Sequence, residues 1–125
     1  MVKFLICETC GNQAGLIKDS GVTPECCGQE MKVLQPNTVD AAVEKHVPDV
    51  QLKDGGVFVR VGSVEHPMIE AHHIEWVYLE TNLGGARKVL KPDTAPATCF
   101  RLCEQEQPLA VYAYCNLHGL WKKEL

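Results

Sequence analysis

The sequence lacks an excess of positive charge: 12 Lys and Arg stand against 16 Asp and Glu, for a formal net charge of -4 at pH 7. A nucleic-acid role therefore has no electrostatic support. No apolar run approaches the roughly 18 residues of a membrane span, so no membrane partner is expected. The opening residues, MVKFLICETCGNQ, do not have the form of a secretory signal, because the apolar part is only Phe4 to Ile6 before a polar CxxC. The expected compartment is therefore the cytoplasm. No stretch shows convincing helical periodicity, and there is no internal repeat or low-complexity segment. Histidine is missing from residues 1 to 36, which hold Cys7, Cys10, Cys26 and Cys27; all 5 histidines come later.

That asymmetry predicts two domains, residues 1–36 and 37–125, with the turn-like Gln35 to Thr38 ("QPNT") as the linker. The first part is too small to bury a core and needs a staple such as a metal. The second reads as short strands. "VFVRV" (Val57 to Val61) alternates with a period of two, and the "KDGG" before it is a hairpin turn with glycines for positive φ. "IEWVYLE" (Ile74 to Glu80) is β-branched and aromatic-rich, and "TNLGGA" closes it as a turn. "RKVL", "TCFRL" and "LAVYAYC" follow at similar intervals. The fold class is mostly β: a small metal-knuckle domain followed by an antiparallel β-sandwich.

Seven cysteines in a reducing compartment point to metal binding or redox chemistry rather than disulfides. Cys7-Glu8-Thr9-Cys10, followed by Gly11, is a knuckle in which two thiolates converge while backbone N–H groups face the sulfurs. Its partner is the adjacent pair Cys26-Cys27, followed by Gly28. Four thiolates suit zinc or a single iron, and spacing alone does not choose between them. A zinc ribbon closes with a second CxxC, from which the vicinal pair departs. Neighbouring side chains tend to diverge, so this site is expected to be distorted. Cys99 and Cys103 flank "FRL"; on a strand they would share a face as small buried hydrophobes.

The second donor constellation begins with Cys115 and His118 in "YCNLHGLW", a C-x-x-H pair on a loop after a strand, so that both reach one ion. His66 and His72 lie at the two ends of HPMIEAH, whose start Pro67 stiffens. His72 and His73 are consecutive, so on extended chain they point to opposite sides and at most one is a ligand. His46 follows Glu44-Lys45 in "EKHVP". The chain thus offers four imidazoles and a thiolate, with a carboxylate and an ammonium beside the first histidine. A cupredoxin also carries Cys and His on one late loop of a β-sandwich. Here Gly119-Leu120-Trp121 follows His118 with no methionine, and histidines are in surplus, which argues against blue copper.

Over nearly its whole length the sequence resembles the desulfoferrodoxin family, the two-iron form of superoxide reductase. The motifs that carry the resemblance are CETC, ECCGQEM, NTVDAAVEKHVP, HPMIEAHHIEW, LKPDTAPA and YCNLHGLW. The resemblance implies two mononuclear non-haem iron ions per chain. One is a rubredoxin-type Fe(Cys)4 centre on Cys7, Cys10, Cys26 and Cys27 of a desulforedoxin-like domain. The other is a square-pyramidal Fe(His)4(Cys) centre on His46, His66, His72, Cys115 and His118 of an immunoglobulin-like sandwich. The family's mobile glutamate and its lysine fall on Glu44 and Lys45, and His73 takes no family role. The implied activity is one-electron reduction of superoxide to hydrogen peroxide, by a homodimer that takes electrons from rubredoxin or a similar small redox protein. A non-catalytic iron carrier or metal-binding module is the alternative, and it would need neither Glu44 nor Lys45.

Overall fold

A computed structural model describes residues 2–125 of the protein. It divides into two compact units, one ending at Gln35 and one beginning at Pro36. Among the described residues no helix is long and apolar enough to cross a membrane.

In the first unit β1 (Phe4–Ile6) lies between β2 (Gln13–Gly15) and β5 (Lys32–Val33), and β3 (Glu25–Cys26) pairs with β4 (Gln29–Glu30) as a separate ribbon. The strands are two or three residues long. Leu5, Cys7 and Met31 form the buried cluster, with Leu16, Cys26 and Val33 packed against it. Two of those six side chains are cysteines, which leaves little apolar area to hold the unit together.

The second unit is a sandwich of two antiparallel sheets. One has the order β10 (Ala97–Arg101), β7 (Gly56–Val61), β6 (Pro48–Lys53); the other runs β12 (Gly119–Glu124), β11 (Pro108–Cys115), β8 (Ile74–Thr81), β9 (Gly84–Val89). The period of two in β7 sends Val57, Val59 and Val61 inward and leaves Phe58 and Arg60 exposed. Asp54 and Gly55 have φ of +51° and +72°, so both central residues of the β6–β7 turn are left-handed, as a tight hairpin requires. From the facing sheet Val77, Leu79, Val111 and Ala113 meet the three valines and Phe100 in one core. Full burial of each Val or Leu there contributes about 1.5–3 kcal/mol. Ile74 and Cys115 belong to the same cluster, so the thiol that ends β11 is anchored in the core. Strand β9 is exposed along its whole length, and Arg87 and Lys88 blunt it as a sheet edge.

Among the described residues there is one short helix, α1 (Val43–His46), and it carries Glu44, Lys45 and His46. Four residues are too few to show a periodicity. One expectation is corrected: Cys99 and Cys103 are both exposed rather than buried. Strand β10 ends at Arg101, so Cys103 is not on it, and Cys99 lies in register with exposed Phe58 on the outer face of its sheet.

Candidate metal centres

The sulfurs of Cys7, Cys10, Cys26 and Cys27 all lie within 4.8 Å of one another. The Gly11 N–H donates to the Cys7 carbonyl at 2.8 Å, closing the CxxC knuckle. The Cys10 N–H donates to Cys7 Sγ at 3.5 Å, and Asn12 Nδ2 donates to Cys26 Sγ at 3.7 Å. The vicinal pair does not diverge. Cys27 and Gly28 are the two-residue turn between β3 and β4, with φ of +54° and +75°. The left-handed backbone at Cys27 swings its side chain round until its sulfur lies 3.9 Å from that of Cys26. The adjacent cysteines thus converge by means of turn geometry.

Proton affinities within this cluster are split. The Cys10 backbone N–H, the largest influence, lowers the Cys7 thiol to about 6. Hydrogen bonding to Cys10 and then Cys7 pushes Cys27 up to about 12. Sulfurs this close cannot all shed protons without a cation among them, and a metal supplies one.

The second centre draws on four segments. Ring Nδ1 of His46, at the end of α1, donates to the Ala42 carbonyl at 2.7 Å. His66, after the turn that leaves β7, donates from Nδ1 to the Pro67 carbonyl at 2.6 Å. Each carbonyl can only accept, so each ring carries its proton on Nδ1 and turns the Nε2 lone pair inward. The two Nε2 atoms lie 3.2 Å apart, and His46 Nε2 lies 3.1 Å from His118 Nδ1. The His46 and His66 lone pairs, so close and with both ring protons committed elsewhere, repel one another unless a cation lies between them. His72 Nε2 is buried without a hydrogen-bond partner. Donor atoms of His46, His66, His72 and Cys115 all lie within 4.8 Å of one another, and Cys115 Sγ is 3.9 Å from His118 Nδ1. Burial is the main influence on every shift. It lowers His46 and His72, lowers His66 to about 4, and raises the Cys115 thiol against the backbone N–H groups of Leu117 and His118. The imidazoles are therefore held neutral, the form in which they ligate a metal.

The desulfoferrodoxin family profile matches residues 38–124. Desulfoferrodoxin of Syntrophotalea carbinolica is 47% identical over 118 residues, covering 94% of this chain and 92% of that protein. The chain belongs to the desulfoferrodoxin family. Its fold is similar to that of the superoxide reductase from Treponema pallidum, with a TM-score of 0.84, 36% identity and 99% of both chains covered. A superoxide reductase from Giardia intestinalis is matched over 66% of this chain and 99% of its own, with a TM-score of 0.55 and 36% identity. In a desulfoferrodoxin the tetrathiolate and the imidazole–thiolate cluster are two mononuclear iron sites, and both donor sets here suit iron. The chain is an oxidoreductase.

Glu44 and Lys45 are exposed on the turn that bears His46. His73 stays outside the cluster: its Nδ1 faces the carbonyls of Ile69 at 3.1 Å and Glu70 at 3.2 Å. Two residues of the site were invisible to the sequence reading. Trp121, 1% exposed, stacks on the His46 ring at 4.8 Å between centroids and donates from Nε1 to the His118 carbonyl at 3.1 Å. It therefore steadies two imidazoles from one side chain. Its position three residues after His118, at the start of a strand, was the available signal. Gly62 packs under α1: a Cβ there would lie 2.6 Å from the Glu44 carbonyl oxygen and 2.9 Å from the Val47 one. The same Glu44 carbonyl accepts from the Val64 N–H at 2.8 Å, so the turn between β7 and His66 grips α1. No local pattern in the sequence marks that glycine.

Proposed function

We propose that the chain is a superoxide reductase, converting superoxide, one electron and two protons into hydrogen peroxide. Residues 1–36 would serve as the Fe(Cys)4 domain and residues 37–125 as the catalytic domain. The observation that carries this reading is the convergence of His46, His66, His72 and Cys115, with His118 beside them, below a turn that exposes Glu44 and Lys45. When bound by His46, His66, His72, Cys115 and His118, ferrous iron would supply the electron.

The residues divide the remaining work. His46, His66, His72 and His118 are neutral donors, and Cys115 is a thiolate once the metal displaces its proton. With a ferrous ion the formal charge of that set is plus one, so an anion is attracted although the protein is net acidic. Lys45 adds a flexible ammonium beside His46, drawing superoxide in and orienting a proton-delivering water. Glu44, on the same turn, would offer a carboxylate to the metal. Trp121 and the core around Cys115 keep water from the buried side of the donors. The exposed Cys10 and Cys27 suit electron transfer with a small redox protein of the rubredoxin kind. Cysteines gathered into metal-donor sets accord with a reducing cytoplasm. We place the chain there as a homodimer.

The test is single-turnover consumption of superoxide by pre-reduced, iron-loaded protein, with peroxide counted. One peroxide per superoxide identifies a reductase, and one per two superoxides a dismutase. Cys26→Ser should remove the first centre's visible absorption and leave this reaction intact, whereas Cys115→Ser should abolish it. A non-catalytic carrier would consume no superoxide faster than the spontaneous reaction in either form.

A further inference from the structure

We infer that Asn116 is a positioning residue for His72, clamping the turn that carries Cys115 and His118 to the backbone on both sides of that histidine. Its side-chain oxygen accepts the His73 N–H at 2.9 Å, and its Nδ2 donates to the Ala71 carbonyl at 3.1 Å. Its own N–H donates to the His73 carbonyl at 3.2 Å. Three hydrogen bonds from one residue thus bracket position 72 without touching the His72 ring.

The need for such a clamp follows from how the other imidazoles are held. His46 and His66 are each fixed through Nδ1 to a carbonyl, and His46 is also stacked on Trp121. His118 sits in the tight turn between β11 and β12, with its carbonyl tied to Trp121. His72 lies on the segment between His66 and β8, which the Ile69–His72 bridge closes with N–H to carbonyl distances of 3.1 and 3.0 Å and which His73 Nδ1 and the Asp93 N–H also hold, but its own ring Nε2 has no hydrogen-bond partner. The direction of its ring is therefore set by the backbone at 71 and 73, which Asn116 grips. An asparagine suits this role because it offers one acceptor and one donor in a fixed plane. Because Asn116 lies between Cys115 and His118 in sequence, the clamp also fixes the distance from His72 to both of those donors. Ligands on separate segments then move as one body, which outer-shell partners of metal ligands achieve elsewhere by bonding the ligand ring itself.

The inference rests on the proposed role of His72 as a ligand, and the experiment separates the two. The ferrous-iron affinity of the second centre is measured by chelator competition for wild type, Asn116→Ala, His72→Ala and the double variant, with the first centre's absorption as an internal control. Asn116→Ala should weaken affinity by about 10- to 100-fold, the usual cost of losing an outer-shell partner. Asn116→Asp keeps the acceptor for the His73 N–H and loses the donor to Ala71, so it should fall in between; it also serves if the alanine variant folds poorly. In the His72→Ala background Asn116→Ala should cost nothing further, because the group it positions is gone. An unchanged affinity in Asn116→Ala, or the same fold loss with His72 absent, would overturn the inference. Wild-type affinity in His72→Ala would instead overturn the ligand role on which it rests.

Discussion

The two donor sets solve one problem in opposite ways. Residues 2–35 bring four sulfurs together on short ribbons whose buried cluster is Leu5, Cys7 and Met31, so the protein there has little besides the metal to hold it. From Pro36 onwards the donors hang on a sandwich with a continuous core, and Cys115 is itself a member of that core. In the first unit the fold is expected to depend on the ion; in the second the sandwich carries the site. The difference appears at single residues. Cys27 takes up a left-handed turn so that its sulfur can reach its neighbour's, whereas His46 and His66 have their ring orientation fixed by backbone carbonyls.

The sharpest way to break this contrast is to remove both metals with a chelator under reducing conditions and follow amide hydrogen exchange. Amides of β1 and β5 should lose protection, while those of β8 and β11 should keep it. Protection retained in β1 would show that the first unit folds without its ion.

A smaller effect should come from Gly62→Ala, which asks whether the second unit's rigidity reaches its site. The new methyl would meet backbone atoms of Glu44, Lys45 and Val47 at 2.6 to 2.9 Å, so α1 must move. Overpacking of this kind costs about 1–3 kcal/mol, readable from denaturant midpoints. The second centre's absorption should shift and the first's should not. A stability loss without that shift would uncouple Gly62 from the metal site.

Lys45→Ala should leave stability and iron content alone and slow superoxide capture by about ten-fold at low salt. Added salt should slow wild type more than the variant, because screening acts on a charge the variant lacks. Pulse radiolysis at several ionic strengths reads both, and equal rates with equal slopes would remove Lys45 from substrate attraction.

The smallest effect involves neither donor set. Glu106 accepts the Cys103 N–H at 3.0 Å and the Thr81 hydroxyl at 2.7 Å, and these bonds hold its carboxyl below the usual 4.5. A depressed carboxyl contributes stability that is present above pH 4.5 and lost as pH falls through its lowered value. Glu106→Gln should therefore differ slightly from wild type in urea midpoint at pH 6, and the gap should close on acidification. A gap independent of pH would assign the effect to shape rather than charge.

The sandwich was legible in the sequence because alternation in "VFVRV" and the β-branched run after His73 record which side chains must face inward. The tetrathiolate was legible as composition, since four cysteines in a stretch too small for a core have few other uses. The convergence of Cys26 and Cys27 was not, because it depends on a positive φ that no non-glycine residue advertises. Helix α1 escaped notice because one turn cannot display a period. Cys103 was misplaced by extending a strand past Arg101, where the register with β7 stops, and Cys99 by assigning it to the inner face of that strand. Gly62 and Asn116 reach the site through contacts between segments distant in sequence, which leave no local spacing to read, whereas Trp121 left only its three-residue step from His118.

The two Nδ1–carbonyl bonds, His46 to Ala42 and His66 to Pro67, bear on rate as well as on binding. A metal that cycles between two charges pulls its ligands to slightly different distances, and the energy of that rearrangement enters the activation barrier for every electron received or given. Rings already fixed by their far nitrogens, with Trp121 packed flat against one of them, have little room to rearrange. Under the proposed redox role, that lowers the rearrangement each one-electron transfer would demand.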